Sequence, residues 1–181
     1  MANLQFHLIN EDVETTSFDC GIESINDYIK NSYYPLITQQ AYAYCIMYDN
    51  IVLGYYQIFY KELKIDCFPE DISGWFDYNL SVDTISAVHI RYIAIDKKYQ
   101  RRKIGNTILD IIIKNVEDLS IEWPIRVITI DARNELVEWY KRKGFKIMIQ
   151  NTPGQDGFNV AMYYDCMRHG EELEKYCNAM I

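Results

Sequence analysis

The stretch Ile85–Leu119 constrains the fold more than any other part of this 181-residue chain. It begins β-rich, with Ile85, Val88, Ile90, Tyr92, Ile93 and Ile95 supplying the branched and aromatic side chains that suit a pleated sheet. It ends helical: Ile104, Ile108, Ile112, Val116 and Leu119 recur at spacings of three and four. Between the two lie five cations in seven residues, Lys97 to Lys103, running straight into Gly105. A strand, a basic loop and a glycine at a helix mouth predict an anion site, because unpaired N–H groups and the positive end of the helix dipole converge there. A short apolar run, Ile125–Ile130, follows and reads as a buried parallel strand. The β–α–β passage from Ala87 to Ile130 then requires a parallel pair joined by a right-handed crossover.

Taken alone, KKYQRRK reads either as a solvated charge run or as an import-like patch. Its setting favours a ligand. The whole chain carries a net charge of −8, and five cations crowded into one turn repel one another unless a polyanion lies among them. A pI near 4.9 argues against nucleic acid as a partner, which needs extended basic surface, and for a small anionic cofactor. The five cysteines lack CxxC spacing and read as reduced thiols, neither a disulfide framework nor a metal site. MANLQFHLIN has neither the basic nor the apolar region of a leader, and no apolar run approaches the roughly 18 residues of a membrane span. These features predict a soluble cytoplasmic protein with one domain over residues 1–181 and no membrane contact.

Before the central stretch, Leu4–Ile9 reads as an edge strand whose free side is suited to a homodimer. Ser17–Tyr33 reads as an amphipathic helix ended by Pro35. Tyr42–Tyr48 and Ile51–Tyr60 read as a hairpin turning at Asp49-Asn50, with Gly54 marking a bulge or a close backbone approach. After it, Asn134–Lys143 reads as a helix closed by Gly144 in the left-handed conformation. Phe145–Ile149 and Phe158–Asp165 read as an antiparallel pair, and Arg168–Asn178 as a terminal helix.

Tyr99-Gln100-Arg101-Arg102-Lys103-Ile104-Gly105 resembles the acetyl-CoA pyrophosphate loop of the GNAT superfamily of N-acetyltransferases, Q/R-x-x-G-x-G/A, with Lys103 in place of the first glycine. Asn134, followed by Trp139-Tyr140-Lys141-Arg142-Lys143-Gly144-Phe145, resembles the second family signature, an Asn and then (F/W)Y-x-x-x-GF. The phrase Phe18-Asp19-Cys20-Gly21 looks like the opening of a branch that includes toxins acetylating aminoacyl-tRNA; on its own it reads as a capped amphipathic helix. The resemblance implies an α/β (α+β) fold. Its sheet is mixed, mostly antiparallel and six- or seven-stranded, with a central parallel pair and helices on both faces.

What the resemblance implies for chemistry is acetyl transfer from acetyl-CoA, as cosubstrate, to an amine. The backbone of Ile93, Ala94 and Ile95 would bond the acetyl and pantetheine amides, with the Ile93 N–H stabilising the oxyanion. Gln100, Arg101, Arg102, Lys103, Gly105 and Asn106 would hold the pyrophosphate, and Asn134 the pantetheine arm. Tyr140 falls where the family places the acid that protonates the departing thiolate. His89, four residues before Ile93, falls where the histone-acetylating branch carries its base; the open alternatives are a structural histidine and deprotonation through water. A period of two puts His89, Arg91, Ile93 and Ile95 on one strand face.

The segment Asp66–Thr84 carries five carboxylates and no cation, with Phe68, Trp75, Phe76 and Tyr78 among them. It predicts a cationic acceptor, a small-molecule or peptide amine. Toxin-like acetylation of aminoacyl-tRNA and a non-catalytic acetyl-CoA-binding module are the competing expectations.

Overall fold

The structure is a computed structural model describing residues 4–13, 15–49, 51–69, 72, 83–149, 159–167 and 170–179. Seven strands, β1 (Gln5–Leu8), β2 (Tyr42–Tyr48), β3 (Ile51–Lys64), β4 (Thr84–Ile95), β5 (Val127–Arg133), β6 (Lys146–Ile147) and β7 (Asn159–Asp165), form one sheet in the order β1-β2-β3-β4-β5-β7-β6. The parallel neighbours are β4 and β5, as the β–α–β reading requires; the other pairs are antiparallel.

The crossover helix α3 (Ile104–Leu119) buries Ile108, Leu109, Ile112, Ile113 and Val116. They pack against Val88, Ile90, Ile128 and Ile130 of the central pair. On the opposite face, α1 (Glu23–Lys30) brings Ile29 onto Ala43, Cys45, Tyr55, Tyr92 and Ala94. A third cluster on that face joins Phe68 and Ile72 to Ile85, Ala87, Val127 and Tyr163. Helices α4 (Val137–Lys141) and α5 (Gly170–Ala179) complete the described elements together with α2 (Tyr33–Ile37).

Local differences from the sequence reading have local causes. The first helix breaks at Asn31–Ser32, before Pro35, and Pro35 sits in the opening turn of α2, where a missing N–H costs no intrahelical bond. The helix expected from Asn134 starts as a 3₁₀ turn, Asn134–Leu136, before α4. Strand β6 is only two residues long, because Phe145 turns into the core beside Tyr140 and the Ile149 N–H donates to the Cys67 carbonyl. The hairpin of β2 and β3 turns with Asp49 at φ 47°. At Gly54 a Cβ would collide with the Ala94 carbonyl oxygen, the close approach that the glycine signals. Gly144 has φ 89°, the left-handed residue expected there.

Candidate functional site

The site begins where the parallel pair stops. β4 and β5 pair from Ala87↔Val127 to Ile90↔Ile130 and no further. Beyond that point β4 stays with β3 up to Ile95, while β5 leans to β7 down to Arg133. The facing edges of Tyr92–Ile95 and Asp131–Arg133 therefore part, and a cleft of about 780 Å³ opens there. Ile93 and Ile95 line its wall, the basic loop and the mouth of α3 one end, and Leu136, Trp139 and Tyr140 another side.

The loop between β4 and α3 is shaped for an anion. Arg101 and Lys103 have φ of 61° and 63°, so two residues of one short turn are left-handed. Such turns aim successive N–H groups into a concavity. Lys103, standing where the family pattern has glycine, keeps the glycine-like conformation. Among the described residues, Arg101 and Lys103 have no carboxylate within ion-pair distance, whereas Lys97 pairs with Asp19 at 2.8 Å and Arg133 with Glu135 at 2.6 Å. Gly105 faces the cleft, and a Cβ there would come no nearer than 4.0 Å to the protein, at Trp139.

The N-terminal phrase is welded to this loop. The Lys97 N–H donates to the Asp19 carbonyl, and Asp19 Oδ1 accepts from the Gly21 N–H at 2.7 Å. Gln100 Nε2 donates to the Cys20 carbonyl at 2.8 Å and to the Ile95 carbonyl at 2.9 Å. The Lys97 ammonium, then the Gly21 N–H, lower the Asp19 pKa to about 2. The phrase is thus a docked strap, not a helix cap: α1 starts after it, with Ile22 as N-cap and no side-chain cap bond. Cys20, Gly21 and Ile22 line the cleft.

Tyr140 is buried yet reaches the cleft. Its ring stands edge-on to Trp139 (centroids 4.6 Å apart) and to Phe145 (5.4 Å). Its hydroxyl has no hydrogen-bond partner among the described residues, and burial pushes its pKa up. The Trp139 indole N–H donates to Asn106 Oδ1, tying α4 to the first turn of α3.

His89 corrects the simple strand reading. Gln57 pairs with Tyr92 and Ile58 with Ile90, which leaves Arg91 as an extra residue in β4. This bulge inverts the alternation. Val88, Ile90, Ile93 and Ile95 all meet the α3 core, while Tyr92 and Ala94 face α1. His89 therefore does not share a face with Ile93 and Ile95. It lies outside the cleft lining, against the Phe59 ring, with Nδ1 3.0 Å from Thr129 Oγ1 and Nε2 3.9 Å from Asp131 Oδ2. Burial first, then Lys61 and Arg91, depress its pKa to about 3.

Comparison with known proteins follows this geometry. Residues 80–163 match the family described as Acetyltransferase (GNAT) domain. Residues 80–163 are a GNAT acetyltransferase domain. No curated protein sequence matches the chain. Among solved structures it resembles AtaT complexed with acetyl-methionyl-tRNAfMet, at 19% identity over 90% of this chain and 95% of that one, TM-score 0.77. It also resembles a tyrosine-to-phenylalanine mutant of KacT (18%; 96% and 98%; 0.76) and AtaTR bound with AcCoA (19%; 96% and 97%; 0.74). At such identities the likeness carries the fold, and it extends that fold beyond the GNAT match to nearly the whole chain.

Of the residues expected at the GNAT site, the cleft gathers Ile93, Ile95, Gln100, Arg101, Lys103, Gly105, Asn106 and Tyr140. Ala94 is buried on the α1 side, Asn134 and Arg102 are exposed outside the lining, and Arg102 stacks on Tyr99. Sequence reading missed Gly21, Lys97, Leu136 and Trp139 as lining residues. The Phe18–Gly21 phrase and the tryptophan beside Tyr140 were the available signals. Glu70, Asp71, Trp75, Phe76, Asp77 and Tyr78 of the acidic segment lie outside the described residues.

Proposed function

We propose that this enzyme transfers the acetyl group of acetyl-CoA to a primary amine, receiving the donor in the cleft between the parted ends of β4 and β5. The observation that carries this reading is the parting itself: two parallel strands release each other beside a turn built for anions. Acetyl-CoA supplies a thioester-activated acyl group and a pyrophosphate. The chain fits both, with Arg101 and Lys103, which have no carboxylate partner among the described residues, at the mouth of the 16-residue α3 and open space at Gly105.

In this reading Arg101, Arg102, Lys103, Gly105 and Asn106 hold the pyrophosphate, and Gln100 braces the loop through its two bonds to Cys20 and Ile95. The main chain of Ile93, Ala94 and Ile95 bonds the pantetheine arm with help from Asn134, and the Ile93 N–H stabilises the developing oxyanion. Tyr140 gives its proton to the leaving sulfur; its raised pKa keeps that proton in place until negative charge appears beside it. His89, depressed to about 3, stores no proton at neutral pH. With Nδ1 on Thr129 and Nε2 toward the half-exposed Asp131 carboxylate, it is in this reading a structural histidine, and the acceptor ammonium loses its proton through water. The acidic segment Asp66–Thr84 is the ground for a cationic acceptor.

Titration calorimetry with acetyl-CoA, followed by thiol release against a panel of amines, tests the proposal. The native protein should bind, and Gly105→Glu should bind far more weakly because a carboxylate at the α3 mouth repels the pyrophosphate. Absence of binding at millimolar acetyl-CoA would overturn it.

The similarity to AtaT with acetyl-methionyl-tRNAfMet favours a second reading, acetylation of aminoacyl-tRNA. The net charge of −8 opposes it. Acetylation of charged tRNA that falls steeply with salt would support it, and indifference of the best acceptor to salt would remove it. We propose the cytoplasm as its compartment, on the ground that Cys20, Cys45, Cys67 and Cys166 are free thiols.

A further inference from the structure

We propose that Trp139 is a positioning residue that couples the phosphate end of the cleft to the proton donor. This rests on the reading of Tyr140 as the acid. Three contacts made by one side chain support it. The indole N–H donates to Asn106 Oδ1, in the first turn of α3. The six-membered edge of the indole is the nearest protein atom group to the missing Cβ of Gly105. The ring face or edge meets Tyr140 at 4.6 Å and 68°.

The physical consequence follows from what holds Tyr140. Its hydroxyl has no hydrogen-bond partner among the described residues, so the position of the phenol oxygen is set by ring packing, with Trp139 and Phe145 as its aromatic neighbours. Phe145 belongs to the core and is fixed there. Trp139 is only partly buried; it packs against the edge of the core, and its polar anchor is Asn106. Asn106 also belongs to the turn where the phosphates are proposed to bind. Its side-chain oxygen is engaged by Trp139, and its N–H bonds to the Lys103 carbonyl at 3.1 Å. An anion that orders the Lys103–Asn106 turn therefore orders the indole, and the indole orders the phenol. Catalytic geometry at the sulfur end becomes conditional on a filled phosphate end. Misplacement of an acid by about 1 Å is enough to cost about a hundredfold in rate.

The test is a double-mutant cycle read in steady-state kinetics. Trp139→Phe keeps an aromatic wall for Tyr140 and loses the N–H donor. Asn106→Ala loses the acceptor. Each should raise the acetyl-CoA KM several-fold and lower kcat by a smaller factor, and the double variant should be no worse than either single one, since both remove the same bond. Trp139→Leu removes the wall as well and should lower kcat about 10- to 100-fold beyond Trp139→Phe. CoA should shift the intrinsic fluorescence of the native enzyme, and Trp139→Phe should lose most of that shift. If Trp139→Leu proves unfolded by its melting curve, the Trp139→Phe and Asn106→Ala cycle still decides the matter. Additive effects, or kinetics within twofold of the native enzyme in both single variants, overturn the coupling. Lack of CoA binding by the native enzyme would instead sink the acetyltransferase reading itself.

Discussion

The two halves of β4 are alike in composition and opposite in surroundings. From Ala87 to Ile90 the strand is gripped on both edges, by β3 and by β5. From Tyr92 to Ile95 only β3 holds it, and the other edge looks into the cleft. Arg91 is the bulge between the two, its guanidinium 4.9 Å from the Phe59 ring centroid and 5.8 Å from that of Tyr28. The gripped half carries its polar group, His89, as a buried neutral base; the free half offers main chain. A strand used for both purposes must change partners within one residue, and a bulge accomplishes this without breaking the sheet.

The largest expected effect lies in the cleft that the free half lines, at Tyr140 of α4. Tyr140→Phe should lower kcat by about 10²- to 10⁴-fold with acetyl-CoA affinity nearly unchanged, because the ring still packs and only the proton is missing. Thiol-release kinetics beside calorimetry would check it; an unchanged kcat would mean that the free half works without this acid.

Next comes the contact that keeps the free half on β3. Gly54→Val places a branched side chain against the Ala94 carbonyl and Ile95. It should cost about 2–4 kcal/mol in urea unfolding. A normal midpoint would show that β4 can move there at no cost.

On the gripped half the expected signal is pH-dependent stability. The folded pKa of His89 is lowered to about 3 from 6.5, so the native state binds fewer protons than the unfolded chain between those values. Stability must then fall as pH drops from 6.5 toward 3, by about 1.4 kcal/mol per unit, while at higher pH this group contributes no dependence. Melting curves of His89→Gln should be flatter across that window. Equal slopes would place the acid sensitivity elsewhere.

The smallest effect concerns the turn after β4. Lys103→Gly relieves a left-handed lysine, partly offset by the greater freedom of glycine in the unfolded chain, and should stabilise the protein by about 0.5–1 kcal/mol. It should also weaken CoA binding, since a cation leaves the phosphate end. A rise in melting temperature without loss of affinity would mean that the Lys103 ammonium does not face the ligand.

Periodicity and turn chemistry alone determined the parallel pair, the α3 crossover, the hairpin at Asp49 and the Gly144 terminus, because those signals are local and agree with one another. The basic loop was marked by its charge run and Tyr140 by the family resemblance, and both line the cleft. The inversion of faces at Arg91 was not legible, since an extra residue in a ladder is decided by the partner strand's register and leaves no mark in a run of branched residues. The docking of Phe18–Gly21 onto the basic loop was hidden too, its bonds spanning some eighty residues of sequence, as between Gln100 and Cys20. His89 shows the same limit most plainly. Its identity suggested a base near neutral pH, but burial beside Phe59, with Lys61 and Arg91 close by, lowers its pKa, and only the folded sheet brings these groups together.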